Sequence, residues 1–221
     1  MIVYNPHGSD ILPERLKTAQ SLLDQIPARH CFITGSFLYK QHYRDIDIFA
    51  ITRSKKKIGI DNEKARIAIL DFNDLHSLFY HSISKSCIAK NILPVKQLKA
   101  TMADYWTVIN EAIPTLLNNK DRFHKDVRFL VLYTEYLRTK EVLDTFELDR
   151  MIGTFKDYKE VIRYAEENVP AVIHKSRQKS YLKRYFYTQA GHYKDLRSYP
   201  AQNFLYGLAH SIIRGVANGQ C

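Results

Sequence analysis

Cysteine is scarce, with only Cys31, Cys87 and Cys221 among 221 residues and no C-x-x-C pair. An odd count at that spacing implies neither a disulfide framework nor a thiolate zinc site. Eight glycines and seven prolines follow no period, which excludes a collagen-like chain. Apolar runs are short: the best, Phe129 to Tyr133, has five residues, against about 20 for a bilayer-spanning helix. Met1-Ile2-Val3-Tyr4-Asn5-Pro6 lacks the basic and then apolar layout of a secretory signal. The expectation is a cytoplasmic protein with no membrane partner. The nine histidines include no H-E-x-x-H, so surface or hydrogen-bonded roles are expected of them.

Acidic residues are also in deficit. Thirty-three Lys and Arg against 23 Asp and Glu leave a net charge of +10, which favours a polyanionic partner over a cationic one. Residues 1–100 carry +6, residues 101–170 carry −3 and residues 171–221 carry +7. With 45% apolar and 25% charged residues the composition is that of a globular protein, long enough for one large domain or two small ones.

The texture changes near residue 100. Before it, a helix is expected from Pro13 to about Gln25, with Leu16, Ala19, Leu22, Leu23 and Ile26 on one face and Pro27 beyond its end. Cys31 to Thr34 reads as a buried strand, Ser36 to about Tyr43 as a short helix, and Asp45 to Ile51 as a central strand. Lys55-Lys56-Lys57 and Asp61-Asn62 read as turns around a short strand at Ile58-Gly59-Ile60. Ala65 to Phe72 reads as another strand, and Asn73 or Asp74 caps a helix expected to reach about Ala89. Beyond residue 100 only helices are expected: Met102 to Leu117, Asp121 to Leu143, Glu147 to Asn168, Ala171 to Leu196, and a shorter one from Pro200 to about Val216. The expected class is α+β, with a small mixed-sheet domain over residues 1–100 and an all-helical domain over residues 101–221.

The chemistry-bearing stretch is Ile33-Thr34-Gly35-Ser36, eight residues, then Asp45-Ile46-Asp47-Ile48. Residues two apart on a strand share a face, so Asp45 and Asp47 are expected side by side. Two adjacent carboxylates repel, and a hard divalent cation such as Mg²⁺ offsets that repulsion. Glycine lets a ligand approach the backbone, and the amides of a helix start attract phosphate oxygens. Taken alone, the two aspartates could be a solvent-facing pair and Gly-Ser an ordinary turn. The combined order of helix, strand, Gly-Ser, short helix and Asp-Ile-Asp-Ile strand is what favours a site.

On those residues the chain resembles the DNA polymerase beta-like nucleotidyltransferase superfamily, whose small minimal members carry hydrophobic-Gly-Ser, a spacer and Asp-hydrophobic-Asp. The resemblance covers roughly residues 12–90. It implies that Gly35 and Ser36 grip a nucleoside triphosphate and that Asp45 and Asp47 hold Mg²⁺ (or Mn²⁺). It also implies a third carboxylate on a neighbouring strand. Here the eight-residue spacer is short for the family, and Ala68 stands where the third acid is expected. Asp71 is the best substitute and Asp61 the next. Lys40 and Arg44 are candidates to neutralise phosphate.

In the C-terminal tail, Lys175, Arg177, Lys179, Lys183 and Arg184 alternate with Tyr181, Tyr185 and Tyr187. Such a stretch can bind single-stranded nucleic acid, form the solvated face of a helix whose aromatics are core, or contact the triphosphate. The leading expectation is a Mg²⁺-dependent nucleotidyltransferase that moves a nucleoside monophosphate to a hydroxyl, on an RNA end or a protein rather than an aminoglycoside. Its rivals are a weak or inactive module of the same fold that binds nucleotide, RNA or a partner protein, and an unrelated α/β protein. In the last, Asp45 and Asp47 would share no cleft with Gly35.

Overall fold

The computed structural model describes residues 1–7, 12–53, 58–118, 124 and 127–174. The class is α+β, built on a five-stranded mixed sheet with helices. The chain divides into two compact units. The first is Met1–Ala100 with Val142–Arg150; the second is Thr101–Glu141 with the chain from Met151 onward.

In the first unit the elements are β1 (Ile2–Tyr4), α1 (Leu12–Asp24), β2 (His30–Thr34), β3 (Ile46–Ile51), β4 (Ala65–Leu70), α2 (Leu78–Lys85) and β5 (Cys87–Ala89). The sheet order is β1-β5-β2-β3-β4, antiparallel throughout except for the parallel pair β3 and β4. Side chains alternate across it, so each strand feeds two cores. On one face Cys31, Ile33, Ile46, Ile48, Ala50 and Ile88 pack with Ala19, Leu22 and Leu23 of α1. On the other, Phe32, Ile51, Leu70, Cys87 and Ala89 pack with Leu75 and with Tyr80 and Ile83 of α2. Burying each large apolar side chain contributes about 1.5–3 kcal/mol, which holds both helices on the sheet. Burial also pushes the thiols of Cys31 and Cys87 up to about 11 and about 12, so both are neutral at physiological pH.

Several expectations changed. After Gly35 there is only a 3-10 turn, Ser36–Leu38, because ring contacts take over from the backbone: Phe37 meets Tyr43 edge-on at 5.1 Å, and Arg15 lies 4.5 Å over Tyr43. Among the described residues Ile58 to Ile60 form no strand, although both isoleucines pack on the core under α1. The helix expected from Asn73 to Ala89 is three elements. A 3-10 turn spans Asp74–His76, α2 follows under a cap in which Ser77 Oγ accepts from Tyr80 N, and β5 is an inner strand of the sheet. Strands of three residues, such as β1 and β5, carry too little alternation to show in a sequence.

Val142–Arg150 joins the first unit through Asp144. Its buried carboxylate accepts from Asn5 Nδ2 at 3.1 Å, His7 Nε2 at 2.6 Å, Phe146 N at 3.0 Å and Glu147 N at 2.9 Å. Glu147 returns the cap by accepting from Asp144 N at 2.8 Å and from Lys85 Nζ at 2.9 Å, and so opens α5 (Thr145–Ile152). Burial pushes the Glu147 carboxyl up, but the Asp144 amide and the Lys85 ammonium outweigh it and hold it below its ordinary value. We expect Asp144→Ala to destabilise the chain by about 3 kcal/mol, from the lost cap and the unsatisfied donors, with Asp144→Asn intermediate. Urea unfolding checks this. Because the folded Glu147 value is depressed, its contribution is complete above the unfolded carboxylate range and fades as pH falls through the folded value.

In the second unit α3 (Met102–Asn118), α4 (Arg128–Thr139) and α6 (Tyr158–His174) bury Tyr105, Ile109, Leu116, Leu130, Val131, Val161, Ala165 and Val169. The helix expected over Asp121 to Leu143 is α4, closed by Lys140 in the left-handed conformation at φ 68°. The one expected over Glu147 to Asn168 is divided between α5 and α6, because Asp157 Oδ1 accepts from Lys159 N and Glu160 N and starts a new helix. Pro170 does not break α6, which continues to His174. The tail helices and the 175–187 basic stretch lie outside the described residues, as do Lys55, Lys56 and Lys57. Buried Glu135 accepts from Tyr164 Oη at 2.8 Å and from Arg138, and Tyr105 Oη shares a hydrogen bond with Thr134 at 2.8 Å. No helix among the described residues is long and apolar enough to cross a membrane.

Candidate functional site

The antiparallel register of β2 and β3 sets Thr34 opposite Asp47. Thr34 is buried on the α2 face and donates to Ser86 O at 2.9 Å. The chain then turns through Gly35 at φ 84°, ψ −163°, a conformation essentially reserved for glycine. A Cβ at this position would lie 3.0 Å from Asp47 Oδ2, so glycine and carboxylate meet directly. Ser36 opens the 3-10 turn, with Lys40 N donating to its carbonyl at 2.8 Å. Gly35, Ser36 and Asp47 therefore belong to one strand end, with Asp47 exposed.

Asp45 lies one residue before β3 and takes Arg44 Nη2 at 3.1 Å. Lys40 reaches Asp149 of α5 at 3.0 Å, and Tyr39 Oη donates to the same oxygen at 2.7 Å. Asp149 thus supports the segment that follows Gly35-Ser36. Nothing local in the sequence links positions 110 residues apart, so reading the motif missed it.

The parallel pairing of β3 with β4 places Arg66 beside Asp47 and Ala68 beside Phe49. The position next to Asp47 is therefore cationic. Arg66 is exposed, and its guanidinium also donates to Glu63 O at 3.1 Å. Aligning the two apolar runs, Ile46-Asp47-Ile48 on Ala65-Arg66-Ile67, is the signal that could have found it.

Asp71 is not brought to this end. It follows the last residue of β4, which pairs with Ile51 at the far end of β3, so it lies about 16 Å along the strand from Arg66. Its Oδ1 accepts from Asn73 N and from Asp74 N, which makes it a turn residue. Asp61 lies in the loop before β4, its amide donating to Gln25 Oε1 just past α1.

Among the described residues no group of three His, Cys, Asp or Glu is arranged to hold a metal. One hard cation needs less: Mg²⁺ is commonly bound by one or two carboxylates, completed by water and substrate phosphates. Asp47, exposed at the strand end, has the chemistry for that role, whereas the Asp45 carboxylate is engaged by Arg44. A second ion would need a further shared acid where Arg66 stands. Of the nearby cations, Lys40 and Arg44 are ion-paired with Asp149 and Asp45, and Arg66 stands beside Asp47.

Comparisons with protein families, with characterised proteins and with solved structures find no match to this chain.

Proposed function

We propose that the first unit is a nucleotidyltransferase-like module that binds a nucleoside triphosphate together with one divalent cation, Mg²⁺ or Mn²⁺. The observation that carries this reading is the meeting of Gly35 with Asp47, where a side chain at residue 35 would come within 3.0 Å of the carboxylate. The open backbone at Gly35-Ser36 receives phosphate oxygens, and the Ser36 hydroxyl donates to the same group. Asp45 and Asp47 hold the cation, which when bound neutralises phosphate charge. Lys40, Arg44 and Arg66 supply further positive charge. Arg66 beside Asp47, where a second metal ion would need an acid, favours binding or slow transfer over fast two-metal catalysis.

The related reading keeps these residues and adds transfer of the nucleoside monophosphate to a hydroxyl, with release of pyrophosphate. The net charge of +10 favours it on an RNA end.

Isothermal titration of ATP, CTP, GTP and UTP, with and without Mg²⁺, tests the site. Wild type should bind at least one triphosphate only with Mg²⁺, and Asp47→Asn should weaken that binding at least tenfold with an unchanged circular dichroism spectrum. Metal-independent binding, or equal binding by the variant, would remove the proposal. Labelled-nucleotide transfer to RNA then separates an enzyme from a binder.

A further inference from the structure

The opposite end of the parallel pair carries a second constellation. Past β3 and β4 the chains leave the sheet side by side, Thr52 N still donating to Leu70 O at 3.0 Å. Between them opens a cleft of about 690 Å³ whose walls include Arg53, Asp71, Phe72, Asn73, Asp74 and Lys96. Sites at the carboxyl ends of parallel strands are a general place for ligands, because two chains diverge there and leave a crevice.

Three side chains give this cleft its character. Phe72 is 36% exposed, so part of its ring is open to a ligand. Arg53 holds its guanidinium 5.8 Å from the centre of that ring, is itself exposed, and has no hydrogen-bond or ion-pair partner among the described residues. Among the described residues its N–H donors are therefore open to a ligand. Lys96 donates one hydrogen to Phe72 O, which leaves two for a ligand. Asp71 and Asp74 also line the cleft, each carboxylate held in place by backbone amides. Asp71 Oδ1 is engaged by the amides of Asn73 and Asp74, and Asp74 Oδ2 by the Asp71 amide at 2.7 Å. The segment carrying Lys96 is tied to the turn before α2: His76 Nδ1 pairs with Gln97 O at 2.8 Å, and Lys99 N donates to His76 O at 2.8 Å. In the sequence Arg53 runs on into Ser54-Lys55-Lys56-Lys57, four cations in five residues.

An exposed ring with Arg53 over it and Lys96 on its carbonyl suits a ligand with a flat face and a negative linker. We propose that this cleft binds a nucleotide unit of single-stranded RNA, its base against Phe72 and Arg53 and its phosphates on Arg53 and Lys96. Stacking tolerates any base, and the cations follow the backbone. The site is distinct from the Gly35–Asp47 end and does not depend on what binds there.

The test is fluorescence anisotropy of a labelled uridine decamer with the full chain, combined with 4-thiouridine photo-crosslinking and peptide mapping. Phe72→Ala is expected to weaken binding about tenfold, within the range for loss of one stacked base. Arg53→Ser changes an exposed side chain, so it serves where Phe72→Ala fails to fold. It should weaken binding several-fold and make the salt slope shallower by about 0.7, one phosphate contact on a single strand. Crosslinks should fall on the peptides holding Phe72 and Arg53. Unchanged affinity in both cleft variants, or crosslinks confined to other peptides, would overturn the proposal. Competition by poly-glutamate matching that of the decamer would show that charge alone is read, and would also overturn it. UMP competing as well as the decamer would overturn the assignment to a strand.

Discussion

Replacing Gly35 with alanine is expected to abolish triphosphate binding, a loss of at least a hundredfold, and to lower the melting temperature by several degrees. Two effects combine. At φ 84°, ψ −163° an L-residue is strained by about 1–3 kcal/mol. The added methyl would also stand 3.0 Å from Asp47 Oδ2, so the carboxylate must move away by a few tenths of an ångström. Neither effect can be relieved by a rotamer change at residue 35, because the methyl is fixed by the backbone. Gly59→Ala is the control: its added Cβ meets nothing within 4 Å and its backbone is ordinary, so binding and stability should stay near wild type. Titration calorimetry and thermal melts of the pair decide the matter. Wild-type affinity in Gly35→Ala would mean that the turn does not receive the phosphates.

The second large effect is a gain. Arg66→Asp would set a carboxylate on β4 beside Asp47, in register across the parallel pair. Without metal, two acids side by side repel, and the apo chain should lose about 1 kcal/mol of stability. With Mg²⁺ or Mn²⁺ the same pair becomes a shared ligand set. Metal affinity should rise at least tenfold, and the melting temperature should become metal-dependent. Nucleotide transfer, if any exists, should accelerate. Arg66→Ala separates the causes, since it removes the cation without adding an acid and should leave metal affinity within a few-fold. If Arg66→Asp binds metal no better than Arg66→Ala, the edge of β4 is no part of a metal site.

How far the site was legible depended on whether its parts are local. Gly35-Ser36 and Asp45-Ile46-Asp47 announce themselves because a sharp turn and an alternating strand leave short-range patterns. Asp71 was misjudged from the same kind of pattern. It ends a strand and is acidic, but the direction of that strand decides which end of the sheet it reaches. An antiparallel β4 would have carried Asp71 toward Asp47, whereas the parallel one carries it away and brings Arg66 instead. Asp149 shows the limit from another side: its place beside Tyr39 and Lys40 depends on a cap at Asp144 gripping the N-terminal segment.

What the sequence determined by itself is what period and composition encode. These are the charge excess, the change of texture near residue 100, the burial of Ile46 and Ile48, and the amphipathic face of α1. What only the tertiary structure decided is pairing. Each β-strand satisfies its backbone equally well beside several partners, in either direction, and the choice is made by which faces can be buried together. That choice made β5 an inner strand, set Arg66 beside Asp47, and opened the cleft beside Phe72 at the far end of the sheet.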